Sequence, residues 1–400
     1  MTRLADVLRA FEEGLFLPDT GPVEIALGTV IANRLPGDPV WLLLVGPPSA
    51  GKSEVLAALS SLPDVHEADT LTEAGLLSGA PGSSGSGGLL REVGDQGIAV
   101  FGDLSPLFGE HSSTRERTFG VLRRVYDGHL ARHLGTEGGR SYVWQGKLGL
   151  LGAVTGAVEL ADLGALGERF IRYRMPDASA EEQRGAGLYA LENAGHQREL
   201  RARLAKITSK FLGSIAIPDE LPPMTAPEQD RLIDLALVGT RCRSAVVRDR
   251  WHADDIVLIP EPERVPRLLL QLAQLRAGLL VLGVAEAEVW RLLVRIVLDG
   301  LPSGRRAVLG VLAGRGTDAT TSTVAGHARL PVTTVRRHLE DLFALEVVER
   351  TGEHPERWRL GAWLDGMWPR LGFPSRGRRF GVLDGHPEEP GLVDQGEEEW

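Results

Sequence analysis

The chain is almost without cysteine: Cys242 is the only one in 400 residues. That excludes an internal disulfide and any cysteine-rich metal centre. Lysine is nearly as scarce, at four of the 44 basic residues, so arginine carries the positive charge. No uninterrupted apolar run reaches the roughly 20 residues a membrane helix needs; the longest candidate, Leu268 to Ala285, is broken by Gln271, Gln274 and Arg276. No basic-then-apolar leader opens the sequence, so a cytoplasmic protein with no membrane partner is expected. Internal repeats are absent as well. What remains is an ordinary globular balance, 43% hydrophobic and 24% charged, in a length that suits two or three domains. The net charge of −10 argues against a wholly electrostatic nucleic-acid binder. It is uneven, however. Arg370, Arg376, Arg378 and Arg379 precede a tail that holds Glu388, Glu389, Asp394, Glu397, Glu398 and Glu399 and no basic residue after Asp384. Such a tail reads as a solubilising end.

One stretch specifies its ligand. Gly46-Pro47-Pro48-Ser49-Ala50-Gly51-Lys52-Ser53 has the form G-x-x-x-x-G-K-[ST] of the phosphate-binding P-loop. The apolar run Val40 to Val45 leads in as a buried parallel strand, and Glu54 to Leu59 leads out as a helix. Gly46 and Gly51 let successive backbone N–H groups turn toward phosphate oxygens. Lys52 is the residue for the β- and γ-phosphates, and the Ser53 hydroxyl for Mg²⁺. ATP and Mg²⁺ are therefore the expected cofactors.

The rest of a nucleotide site is sought downstream. Ile98-Ala99-Val100-Phe101-Gly102-Asp103 has the form of the strand that ends in a metal-holding carboxylate, which makes Asp103 the candidate; a strand ending in a turn aspartate would look similar. The next position, often a water-polarising Glu, is Leu104, which leaves Glu110 and Asp127 as the nearest candidate bases. Leu148 to Thr155 is a further buried strand, expected between the other two, with Thr155 placed to orient a water. In Gly167-Glu168-Arg169-Phe170, Arg169 stands just before a strand at the domain edge, with Arg172 as the second choice, where an arginine finger would project toward a neighbour's nucleotide. Ser78 to Gly88, rich in Gly and Ser, reads as a loop.

This order of elements resembles an AAA+ ATPase. The insert His129 to Lys147 reads as two short strands around Gly135-Thr136-Glu137-Gly138-Gly139, just ahead of the strand that ends at Thr155. A hairpin there is similar to the pre-sensor hairpin clade that includes MCM-like helicases, and the whole pattern to ATPases of prophage and integrative elements. The resemblance spans roughly residues 36 to 300. It implies a ring-forming homo-oligomer whose hairpin grips DNA through Arg132, His133, Arg140 and Lys147; an ordinary exposed hairpin would carry the same scattered charge. Glu261 to Arg267, opening a long apolar helix, looks like an MCM-type lid, and the resemblance places Arg267 on the nucleotide of a neighbouring or the same subunit, with Arg264 as the alternative.

The carboxyl-terminal part reads differently. Arg305 to Ala313 and Thr321 to Ala328 are expected helices, followed by Val332 to Leu342, in which Val335, Leu339 and Leu342 share one face. Thr333, Thr334, Arg336 and Arg337 face outward at the start of that third helix, where a recognition helix meets the major groove. Val347 to Arg350 and Arg357 to Leu360 are strands around a wing. This unit resembles MarR- and ArsR-like winged-helix modules; such modules also serve as protein-binding units, and Glu340, Asp341 and Glu346 suit that use.

The expected class is α/β: an amino-terminal helical segment (1–35), a parallel-sheet P-loop ATPase core (36–178), a helical lid (179–300), a winged helix-turn-helix (301–363) and a basic-then-acidic tail (364–400). Two functional readings follow. One is a helicase-like ATPase that moves along or remodels DNA. The other is an ATP-switched transcription regulator with little hydrolysis.

Overall fold

The computed structural model describes residues 2–17, 19–77, 88–133, 141–160, 168–249, 255–352 and 355–373. The Gly/Ser-rich loop, Gly167, Arg140, the wing tip and the acidic tail with Arg376, Arg378 and Arg379 lie outside the described residues, save Gly88 at the end of that loop.

Helices α1 (Leu4–Gly14) and α2 (Gly21–Arg34) open the chain. Strand β1 (Trp41–Val45) is buried at every position, as an apolar run in a covered parallel sheet must be. The P-loop follows, then α3 (Lys52–Ala57), β2 (Val65–Glu67), α4 (Glu73–Leu76), α5 (Leu89–Val93) and β3 (Gln96–Phe101). Next come α6 (Ser105–Gly109), α7 (Ser112–Tyr126), the antiparallel pair β4 (His129–His133) and β5 (Ser141–Gln145), then β6 (Lys147–Val154), a 3₁₀ turn (Gly156–Leu160) and β7 (Phe170–Arg174). Five strands form one parallel sheet in the order β2-β3-β6-β1-β7. Strand β6 thus lies between the P-loop strand and β3, where the strand ending at Thr155 was expected.

Beyond the sheet the chain is mostly helical: α8 (Ala180–Glu192), α9 (Gln197–Leu212), α10 (Ala226–Arg243), α11 (Pro266–Leu282) and α12 (Glu286–Asp299), with a small ribbon of β8 (Val247–Arg248) and β9 (Ile256–Leu258). Local chemistry sets these ends. Ser179 with Glu182 and Thr225 with Glu228 form capping boxes for α8 and α10. Helix α11 begins on Pro266 and stops at Gly283, which takes φ 93° so that Val284 N–H donates back to Leu279.

Helix α11 lies directly on α2 through two glycines. A methyl group on Gly278 would sit 2.3 Å from the Gly28 carbonyl oxygen and 2.7 Å from the Ala32 nitrogen. The obstacle is backbone, so it does not yield by a rotamer change. Gly278→Ala is expected to destabilise the protein by about 2 kcal/mol, read as a lower urea midpoint with an unchanged slope.

The last unit packs α13 (Ser303–Arg315), α14 (Thr321–Ala328) and α15 (Val332–Ala344) against a three-stranded antiparallel sheet of β10 (Ala319–Thr320), β12 (Arg357–Leu360) and β11 (Val348–Thr351), and closes with α16 (Ala362–Leu371). Val335, Leu339 and Leu342 are the buried face of α15, as their spacing predicts. Asp299, wholly buried at the end of α12, joins this unit to the sheet. Its carboxylate accepts from Arg174 N–H (2.8 Å), Arg295 Nε (2.8 Å) and Arg306 (2.5 Å), while Arg174 also pairs with Glu159.

Candidate functional site

The site sits at the carboxyl end of β1. Gly46 N–H donates to Val154 O (3.1 Å), so the loop starts hard against the end of β6. Ser49 (φ 63°) and Gly51 (φ 83°) take left-handed backbone, the geometry that turns consecutive amides into one concavity. A Cβ on Gly46 would approach Met175 Cγ to 2.8 Å, so glycine there lets the β7 exit pack under the loop. Lys52 is buried, and its ammonium donates to the Gly46 (2.8 Å) and Pro47 (2.6 Å) carbonyls. Burial pulls its pKa below the ordinary lysine value, with the charge of Asp103 opposing that shift. The Ser53 hydroxyl donates to Gly102 O (3.0 Å), which places it beside exposed Asp103. Ser105 N–H donates to Asp103 (2.8 Å), and Thr155 N–H donates to the Ser105 hydroxyl (3.0 Å). The fold therefore gathers Lys52, Ser53, Asp103 and Thr155 at adjoining strand ends.

Lys52 and Ser53 open on a cavity of about 960 Å³, while Asp103 and Thr155 stand beside them outside its lining. Pro47 to Ser53 form one wall; Leu15, Phe16, Leu17 and Asp19 after α1 form another; Met175 and α8 residues including Ala186, Tyr189 and Ala190 complete it. The lining thus combines the main-chain amides and ammonium of the loop with apolar side chains and the carboxylates of Asp19, Glu54, Asp177 and Glu182. Sequence reasoning missed Phe16, Asp19, Met175 and Tyr189. They carry no motif of their own, and only the packing of α1 and α8 brings them to the loop.

The other expected site residues among those described stand away from this cavity. Arg169 does not project outward. Its side chain is buried, pairs with Asp127 at 3.1 Å and lies 5.3 Å from the Tyr126 ring centre. It precedes β7, and Phe170 aligns with Trp41, so it sits at the sheet edge opposite the P-loop. Arg172 is likewise buried and pairs with Glu168. Arg267 does not line the cavity of its own chain: its helix start is tied to that same far edge, where Gln271 donates to Arg169 O (2.6 Å), and its guanidinium lies 3.5 Å from Glu263. Of the candidate bases, Asp127 pairs with Arg169, and the Glu110 carbonyl accepts from Arg115.

Lys147 is not a hairpin residue. It begins β6 one residue after the hairpin, and its ammonium donates to Leu35 O (2.6 Å) at the carboxyl end of α2, where the helix dipole favours a cation. Burial pushes its pKa down from 10.5 to about 8. The unfolded lysine then holds a proton that the folded one has released, so stability should rise as pH climbs through that window. Lys147→Met is expected to abolish a rise on the order of 2 kcal/mol, measured by urea unfolding at a series of pH values. Of the other hairpin residues, Arg132 lies on β4.

On α15, Thr333, Arg336 and Arg337 are exposed and Thr334 is half-buried. The acidic residues of its second half are matched by arginines from neighbouring elements. Arg248 pairs with Glu340 (3.2 Å) and Asp341 (2.7 Å), and Arg305 with Asp341 (3.2 Å). That leaves the first half of the helix with the exposed positive charge. Cys242 is buried, and its thiol is pushed up to about 12.

Among solved structures, the chain is similar to JCV helicase with a bound inhibitor, at 20% identity over 52% of this chain and 54% of that one, with a TM-score of 0.30. A second JCV helicase structure, bound to a thiazolopyridinyl-phenoxyphenyl acetamide, gives 19% identity over the same shares and a TM-score of 0.29. The chain thus spans about half the length of these neighbours, and so loose a superposition carries no argument about this protein. No protein-family model and no curated protein matches the chain.

Proposed function

We propose that this protein is an ATPase that couples Mg-ATP binding and hydrolysis to work on DNA, in the manner of an AAA+ motor. The observation that carries the reading is a left-handed amide cradle whose Lys52 and Ser53 line one wall of a cavity, with Asp103 just outside that lining, next to the Gly102 carbonyl that Ser53 holds. Lys52 and the cradle amides bind the phosphates, Ser53 and Asp103 hold Mg²⁺, and Thr155 and Ser105 orient a water. The ion, when bound, neutralises charge that develops on the phosphate oxygens. Leu15, Phe16, Met175 and Tyr189 enclose the base and ribose.

DNA enters the proposal through two elements. One is the β4–β5 hairpin with Arg132. The other is α15, where Thr333, Thr334, Arg336 and Arg337 form the face of a winged helix. A homo-oligomer fits the surface: α8 walls the cavity yet buries no residue, with Leu188 and Leu191 exposed at 52% and 74%. The test is steady-state hydrolysis with and without DNA. DNA should raise the rate in the native protein, and Arg336→Ala/Arg337→Ala should reduce that stimulation while the DNA-free rate stays put. Hydrolysis indifferent to every DNA offered would overturn the coupling.

A further inference from the structure

Helix α7 has two unlike faces. Phe119, Leu122, Val125 and Tyr126 are buried against the sheet, while Arg117, Arg123 and Arg124 are exposed. These three arginines line a groove of about 520 Å³ with Gly120 and Val121 of the same helix, Leu130 and Ala131 of β4, and Leu77 and Glu73 beside α4. Some exposed arginines of this protein hold a carboxylate, as Arg201 holds Glu54 and Arg203 holds Glu13. The side chains of Arg117, Arg123 and Arg124 hold none among the described residues, although Glu73 is part of the same groove.

We infer that this groove binds the phosphodiester backbone of a nucleic-acid strand. The inference rests on the proposed action on DNA and assigns it a surface built on the arginines of α7, beside the hairpin and separate from α15. Three features select this ligand. Arg117 and Arg124 are two helical turns apart, roughly 10 Å along α7, which matches about three nucleotide steps of one strand and exceeds one isolated phosphate. Arg123 and Arg124 occupy the last turn of α7, whose dipole disfavours a compact anion seated on the helix end; contact must come from side chains reaching past it. The floor of glycine, alanine, valine and leucine offers no aromatic platform and few polar groups, so it suits sugar and backbone and does not read bases. Leu130 and Ala131 belong to the first strand of the hairpin, so a strand lying in the groove runs on to the hairpin.

The test uses the full chain, fluorescein-labelled oligo(dT) and a salt series. Arg117→Gln/Arg124→Gln is compared with Arg9→Gln/Arg198→Gln, which removes equal charge from exposed arginines on α1 and α9. The groove variant should bind on the order of tenfold more weakly, with a slope of log affinity against log salt shallower by about 1.4, at 0.7 per phosphate released. The control pair should match the native protein, and both should keep Mg-ATP binding. Equal weakening in the two variants, or unchanged affinity in the groove variant even if hydrolysis falls, would overturn the inference. Failure of the native protein to bind any oligonucleotide would overturn it together with the DNA reading, and retained Mg-ATP binding would then show that the nucleotide site stands.

Discussion

Lys52→Ala should reduce ATP hydrolysis by about 10²–10³-fold, the usual consequence of removing one preorganised group that meets transition-state charge. The ammonium is satisfied by two loop carbonyls at 2.8 and 2.6 Å, so its loss leaves those acceptors to solvent and should move the thermal midpoint little. Lys52→Arg should fail nearly as badly. Lys52 is buried and donates to two adjacent loop carbonyls, and a planar fork does not replace a compact ammonium there. A steady-state assay alongside a thermal melt separates this outcome from misfolding. A native-like rate in Lys52→Ala would remove the lysine from the chemistry.

The second large effect is structural. Asp299 is wholly buried and compensates Arg295 and Arg306 while accepting the Arg174 N–H. Asp299→Ala strands these groups in a low-dielectric junction and should cost about 3–5 kcal/mol. Arg306→Met in the same chain removes one of the stranded charges. The double variant should therefore recover part of the loss, about 1 kcal/mol or more, whereas independent sites would simply add. Because Met175 N–H donates to Val45 O (2.7 Å) directly after Arg174, this junction abuts the strand that feeds the P-loop. Denaturant unfolding of the two single variants and the double variant measures the coupling.

The residues explain why some of the site was readable and some was not. The P-loop was legible because its backbone must take left-handed angles at set positions, which restricts residue type at Gly51 and forces close packing at Gly46. Strand β6 was legible because a fully apolar run ending in Thr155 has to be covered on both faces. The α15 face was legible from period alone. Arg169 was not, because the carboxylate that draws it inward, Asp127, is 42 positions away and nothing local announces the pair. Lys147 was misplaced by a boundary: one residue, Gly146, separates hairpin from sheet, and crossing it takes the side chain from a solvent strand to the end of α2. Arg267 followed from a resemblance in which such an arginine reaches the nucleotide of a neighbouring or the same subunit; here α11 packs on α2, and Arg267 does not line the P-loop cavity of its own chain.

Everything proposed for this chain depends on the cradle at Gly46–Ser53 accepting a nucleoside triphosphate with its ion. Isothermal titration of the native protein with ATP and Mg²⁺, repeated on Lys52→Ala, tests that most directly. Saturable heat in the native protein that is lost in the variant is the expected result; no heat from either, or the same heat from both, would contradict it.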